Sequence, residues 1–142
     1  EITDKNEIQG IETALATADA PVRTHLDAAL RMLSDKESPD YRNSVKESIS
    51  AVEAACRLIS GSTSDTLANA LKRVQNLHPA MSRAFTQLYG YTSDASGIRH
   101  SLTEEATITY ADAKFMLVAC SAFVSYLKVT TTTYIPNSQG TK

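Results

Sequence analysis

The residues with the clearest chemical potential are Arg99 and His100, adjacent in the run Gly97-Ile98-Arg99-His100. Arginine is a permanent cation whose planar fork of donors matches phosphate oxygens. Histidine changes charge near neutral pH and can move a proton. Side by side, the two could hold a scissile phosphate and act as acid or base toward a ribose hydroxyl. Glu104 and Glu105 follow as weaker catalytic candidates. Tyr89, Tyr91 and Asp94 are candidate binding residues in the same polar stretch, where Gly90 and Gly97 add conformational freedom. A structural alternative stays open at this point. Arg99 could pair with Glu104, Glu105 or Asp94, and His100 could cap a helix or fill a gap.

The other reactive side chains point to structure. His25 sits beside Leu26 on a helix and reads as a surface or half-buried residue, and His78 precedes Pro79 and reads as a helix-start residue. No two histidines share a metal-ligand spacing, and no His-Glu-x-x-His pattern occurs. Cys56 and Cys120 fall on apolar helix faces, as small buried hydrophobes do. A disulfide between them is not expected in a cytoplasmic chain, which is the localisation anticipated here. Phosphate-binding glycine loops and the Gly-x-Ser-x-Gly nucleophile turn are absent from the sequence. Neither a cofactor nor a metal is expected. The net charge of −2 argues against a general nucleic-acid footprint but leaves a local basic patch possible.

These residues need a frame, and apolar periodicity predicts about six helices. The first covers Asp4–Thr17, with Ile8, Ile11 and Leu15 along one face. The second starts at Pro21 and carries Val22, Leu26, Ala29, Leu30 and Leu33. After a polar link with Pro39, Asp40 caps a third whose stripe is Val45, Ile49, Val52, Cys56 and Ile59, and Gly61 stops it. Ser64 or Asp65 caps a fourth, with Leu67, Leu71 and Val74 inward. His78-Pro79 opens a fifth, with Met81, Ala84, Phe85 and Leu88 on one side. Gly90–Ser101 has no sustained period and reads as a loop, within the segment of interest Tyr89–Ser101. Thr107–Thr109 is briefly extended, and Thr109-x-x-Asp112 resembles a capping box. A last helix, about Tyr110–Lys128, turns Phe115, Met116, Ala119, Cys120, Phe123 and Leu127 to the core.

At 142 residues the chain fits one domain, expected over residues 1–128 with a flexible tail at 129–142. Short links between helices predict an all-α, antiparallel bundle of five to six helices. The stretch Phe115–Leu127 reads as a core helix, and no apolar run reads as a membrane span. The chain starts at Glu1 without an initiator Met, so a fragment of a longer protein, with a missing domain in cis, is expected.

Three stretches carry a family resemblance: Tyr41–Ala54, the Leu88–Asp94 run with Gly97–His100, and Asp112–Val118. They resemble a bacterial group of HEPN-like helical domains related to abortive-infection, or phage-defence, proteins, over about Val22–Leu127. The resemblance implies an up-and-down helical bundle, a homodimer, and a link to RNA or nucleotide. Many such domains are metal-independent ribonucleases with an Arg, a following polar residue and a His after four to six intervening residues in total. Arg99 and His100 match the first two positions. Where the last His should stand, this chain has Glu104, Glu105 and Ala106. The resemblance therefore implies either an RNA-binding domain or degenerate ribonuclease, or a non-enzymatic dimerisation or sensor module attached to an effector.

Overall fold

The computed structural model describes residues 2–93 and 107–132. Among these, six α-helices and no strand are present: α1 (Lys5–Thr17), α2 (Ala20–Ser34), α3 (Tyr41–Ser60), α4 (Leu67–Arg73), α5 (Pro79–Ser93) and α6 (Tyr110–Thr132). The all-α bundle expected from periodicity is the fold.

Local chemistry sets most helix ends. The Asp4 carboxylate accepts from the backbone N–H groups of Asn6 and Glu7 at 2.8 and 3.1 Å. Pro21 lies in the first turn of α2, where its missing N–H costs nothing. Asp40 accepts from Asn43 N–H at 3.0 Å to start α3. Gly61 ends α3 in the left-handed region, at φ +72°, which glycine adopts without a Cβ clash. Thr66 caps α4, in place of the expected Ser64 or Asp65. Asp65 instead receives Arg73 at 3.0 Å. His78 begins α5 as expected: its Nδ1 accepts from Ala80 N–H at 3.0 Å.

α6 is the hub. Glu7 meets Lys114 at 3.1 Å and Asp19 meets Lys128 at 3.2 Å, so α1 runs parallel to α6. Tyr41 packs edge-on to Tyr110, while Ala55 and Leu58 line a pocket with Val124 and Leu127, so α3 is parallel to α6 as well. α2 is antiparallel to α3, and the buried Ser44 hydroxyl donates to the Ala29 carbonyl at 2.7 Å between them. α5 is antiparallel to α6: Phe85 stacks on Phe123, and Leu88 reaches Asp112 and Met116. Consecutive long helices thus alternate in direction, and the last one inserts beside two helices of its own sense. The core it closes includes Leu26, Val45, Val52, Leu67, Leu71, Met116, Leu117 and Leu127.

Four expectations change. α5 continues through Ser93, so Tyr89–Ser93 are helical where a loop was predicted. Tyr89 is half-buried against the core, and that packing carries the helix past Gly90. α6 continues past Lys128 to Thr132, and the Thr130 and Thr131 hydroxyls donate back to the carbonyls of Tyr126 and Leu127. Phe115 is 59% exposed, not core. It lies on the outer side of α6, whose inner sides are already occupied by Ala113, Met116, Leu117 and Cys120. Finally, Tyr110–Thr131 is long and apolar enough to cross a membrane by length and composition, because no charge interrupts Phe115–Leu127. Here this stretch is a core helix against which α1, α2 and α3 pack.

Candidate functional site

Arg99 and His100 fall in sequence between Ser93, at the end of α5, and Thr107, just before α6, outside the described residues. Both anchor points lie at one end of the molecule, because α5 descends to the end from which α6 ascends. Leu88 and Gln87 on α5 line one groove with Asp112, Phe115 and Met116 on α6, directly at this junction.

The re-entry point is held firmly. Thr109 N–H and Oγ1 each donate to Asp112 Oδ2 at 2.8 Å, and Asp112 N–H is 3.2 Å from Thr109 Oγ1. This is the reciprocal capping arrangement that the Thr-x-x-Asp spacing predicted. The backbone and hydroxyl donors of Thr109 hold the Asp112 carboxyl below its ordinary range. Asp112 is therefore an ionised cap, already engaged at neutral pH. Next to it, Ile108 and Tyr110 pack on the core, and the Tyr110 ring stands 6.0 Å from Tyr41, at 72°. The Tyr110 hydroxyl is buried and has no hydrogen-bond partner among the described residues. On the departing side, Tyr89 packs against the core from α5. The anchors are thus lined by Tyr41, Tyr89 and Tyr110, of which only Tyr89 was singled out from the sequence. Tyr41 and Tyr110 each open a helix, and nothing in the spacing announces that the two helix starts meet.

Of the other sequence-derived site residues, Tyr91 falls in the helical run of α5, with its side chain outside the described residues. Asp94, Arg99, His100, Glu104 and Glu105 also lie outside the described residues.

Elsewhere the reactive groups have structural partners. His25 Nδ1 is 2.6 Å from Glu47 Oε2 across α2 and α3, half exposed. Cys56 and Cys120 are free and fully buried. Burial pushes both thiols up to about 12, with the nearby Glu53 charge adding to the effect at Cys56. They remain protonated and unreactive at neutral pH. Among the described residues, no group of three His, Cys, Asp or Glu side chains converges as a metal site would require.

At the opposite end of the bundle, the α1–α2 elbow leaves an apolar pocket of about 200 Å³. Val22, Leu58, Val124 and Leu127 line it, and the Asp19–Lys128 ion pair sits at its rim. Thr17 and Thr131 complete its lining, and its apolar walls suit a small aliphatic group.

Comparison of the chain with protein-family models, with curated proteins and with solved structures returns no match.

Proposed function

We propose that this chain is a HEPN-like helical domain of the phage-defence type, a rigid frame that presents Arg99 and His100 to RNA or a nucleotide. The observation that supports this reading is the junction of α5 and α6. The two helices that flank residues 94–106 in sequence line one groove together, one packed on the core by Tyr89 and the other capped by Thr109 and Asp112. Loops on rigid scaffolds are where binding groups are commonly carried. In this reading Arg99 takes a phosphate as a bidentate partner and His100 serves as acid or base. The lack of a following histidine makes binding the main activity and cleavage a degenerate one.

The test is fluorescence anisotropy with a single-stranded RNA, alongside a cleavage assay on total RNA. Replacing Arg99 and His100 together by Ala is expected to weaken binding about tenfold or more at moderate salt and to reduce the salt dependence. Equal RNA affinity in the wild type and the double variant, or no binding by either, refutes this reading.

A second reading, a non-enzymatic helical dimerisation module attached to an effector, is favoured by a different observation. Among the described residues five large hydrophobic side chains are exposed, of which Met81, Phe115, Tyr126 and Val129 lie on α5 and α6 and Leu58 lies on α3. Apolar side chains gathered on one face are what an interaction surface requires.

A further inference from the structure

The pocket at the α1–α2 elbow carries an ion pair made by a residue placed for other work. Asp19 stands at the N-cap of α2, as Asp4 and Asp40 stand at the N-caps of α1 and α3. Those two accept from backbone N–H groups of their helices, whereas Asp19 makes no capping hydrogen bond. Both of its carboxylate oxygens instead receive the Lys128 ammonium, at 3.2 and 3.3 Å. The Asp19 side chain is 55% and the Lys128 side chain 44% exposed, so water screens the pair and it opens at small cost. Within its rim lies the apolar pocket of about 200 Å³, walled by Val22, Ala55, Val124 and Leu127. Leu58 also lines it and is 51% exposed, which leaves apolar surface open to water beside the ion pair.

The polar atoms around the pocket sort into two sets. The Thr17 and Thr131 hydroxyls donate to the carbonyls of Thr13 and Leu127 at 2.9 and 2.7 Å. Their protons are committed within α1 and α6, so toward a ligand each oxygen can only accept. Together with the Asp19 carboxylate they suit an ammonium. Lys128 is the cation of the site and suits a carboxylate, and the start of α2, left without a side-chain cap, adds partial positive charge beside it. A negative and a positive partner thus stand side by side at the rim of an apolar hollow.

We propose that this pocket binds a free aliphatic α-amino acid, of the leucine, isoleucine or valine type. Such a molecule carries its ammonium, its carboxylate and its side chain on one carbon. Opening the Asp19–Lys128 pair lets the ammonium meet Asp19 and the carboxylate meet Lys128, while the side chain enters the pocket. The size fits: an apolar cavity of about 150 Å³ takes benzene, so one of about 200 Å³ takes a leucine side chain. Charge matching favours a zwitterion over an amphiphile with one charge. A fatty carboxylate that draws Lys128 away leaves Asp19 unpaired, and an alkylamine that takes Asp19 leaves Lys128 without its carboxylate. The occupied pocket joins Thr17 of α1, Val22 of α2, Leu58 of α3 and Lys128 of α6, so the ligand binds the folded bundle alone and stabilises it.

Isothermal titration calorimetry of the whole chain with L-leucine tests the assignment, beside glycine, leucinamide, N-acetyl-leucine and hexanoate. Glycine lacks the side chain, leucinamide the carboxylate, and N-acetyl-leucine and hexanoate the ammonium. Each should bind at least about tenfold more weakly than leucine. Asp19→Asn and Lys128→Gln should each weaken leucine binding about tenfold, because each removes one of the two charges the zwitterion meets. Saturating leucine should raise the melting temperature of the wild type and leave that of the double variant unchanged. Far-ultraviolet circular dichroism confirms that the variants keep their helices, and the ligand series on the wild type decides the matter even where a variant fails to fold. Absence of leucine binding at about 10 mM would overturn the proposal. So would leucine bound alike by the wild type and a folded double variant. Leucinamide, N-acetyl-leucine or hexanoate bound as tightly as leucine would also overturn it, by reducing the pocket to a general apolar site.

Discussion

At the scale of single residues, carboxylates at helix starts do the most identifiable work. Asp40 and Asp112 are both held below the ordinary carboxylate value of 3.8, Asp40 mainly by the Asn43 backbone N–H and Asp112 by Thr109. A folded-state value below the unfolded one adds stability that is full above the unfolded value and is lost as pH falls through the folded one. Asp112→Ala should therefore cost about 1 kcal/mol at pH 7, as loss of a helix cap does. The gap between variant and wild type should close in acid, below the ordinary carboxylate range. Urea midpoints at pH 7 and at stepwise lower pH measure it. A gap that stays constant to the acid limit would show that the carboxylate charge is irrelevant to the cap. The same residue lines the groove between α5 and α6, so its cap orders that groove as well as the helix.

At the scale of elements, α5 separates what pattern can and cannot tell. Gly90 reads as a loop residue in sequence, yet it is helical, and a Cβ there would meet nothing within 4 Å. Gly90→Ala should raise stability by about 0.5–1 kcal/mol, because alanine restricts the unfolded chain and suits a helix. A thermal melt suffices as the test, and destabilisation would mean that residue 90 needs a non-helical backbone. The starts of α1, α3, α5 and α6 were legible because their caps are local: Asp4, Asp40, His78 and the Thr109–Asp112 pair act within a few residues. The stripe of α3 was legible for the same reason, its other side being visibly polar. α6 was not, because it is apolar on nearly every side, and periodicity then cannot say which side meets water. Phe115 was assigned inward on that account. The end of α5 was missed because it depends on Tyr89 reaching a core built from distant helices. Of the candidate site, the anchors Tyr89 and Asp112 were readable, whereas the meeting of Tyr41 with Tyr110 is a tertiary event with no local trace.

At the scale of the whole molecule, α6 holds the bundle together through contacts with α1, α2 and α3, with Phe85 of α5 stacked on its Phe123. Leu117 is fully buried and Phe115 largely exposed, two residues apart on that helix. Leu117→Ala should cost about 2–5 kcal/mol, while Phe115→Ala should change fold stability by less than about 0.5 kcal/mol. Denaturant unfolding at a concentration that keeps both variants monomeric checks the contrast. Equal losses would mean that Phe115 belongs to the core after all. The centrality of α6 has a further consequence in time. It is the last of the six described helices to be synthesised, so α1, α2 and α3 emerge with the apolar sides meant for it still uncovered. Until residues near Thr132 are available, the nascent bundle exposes much of its core, and its final collapse waits on contacts distant in sequence. A premature stop before Tyr110 would leave a sticky, chaperone-dependent remnant instead of a smaller stable domain.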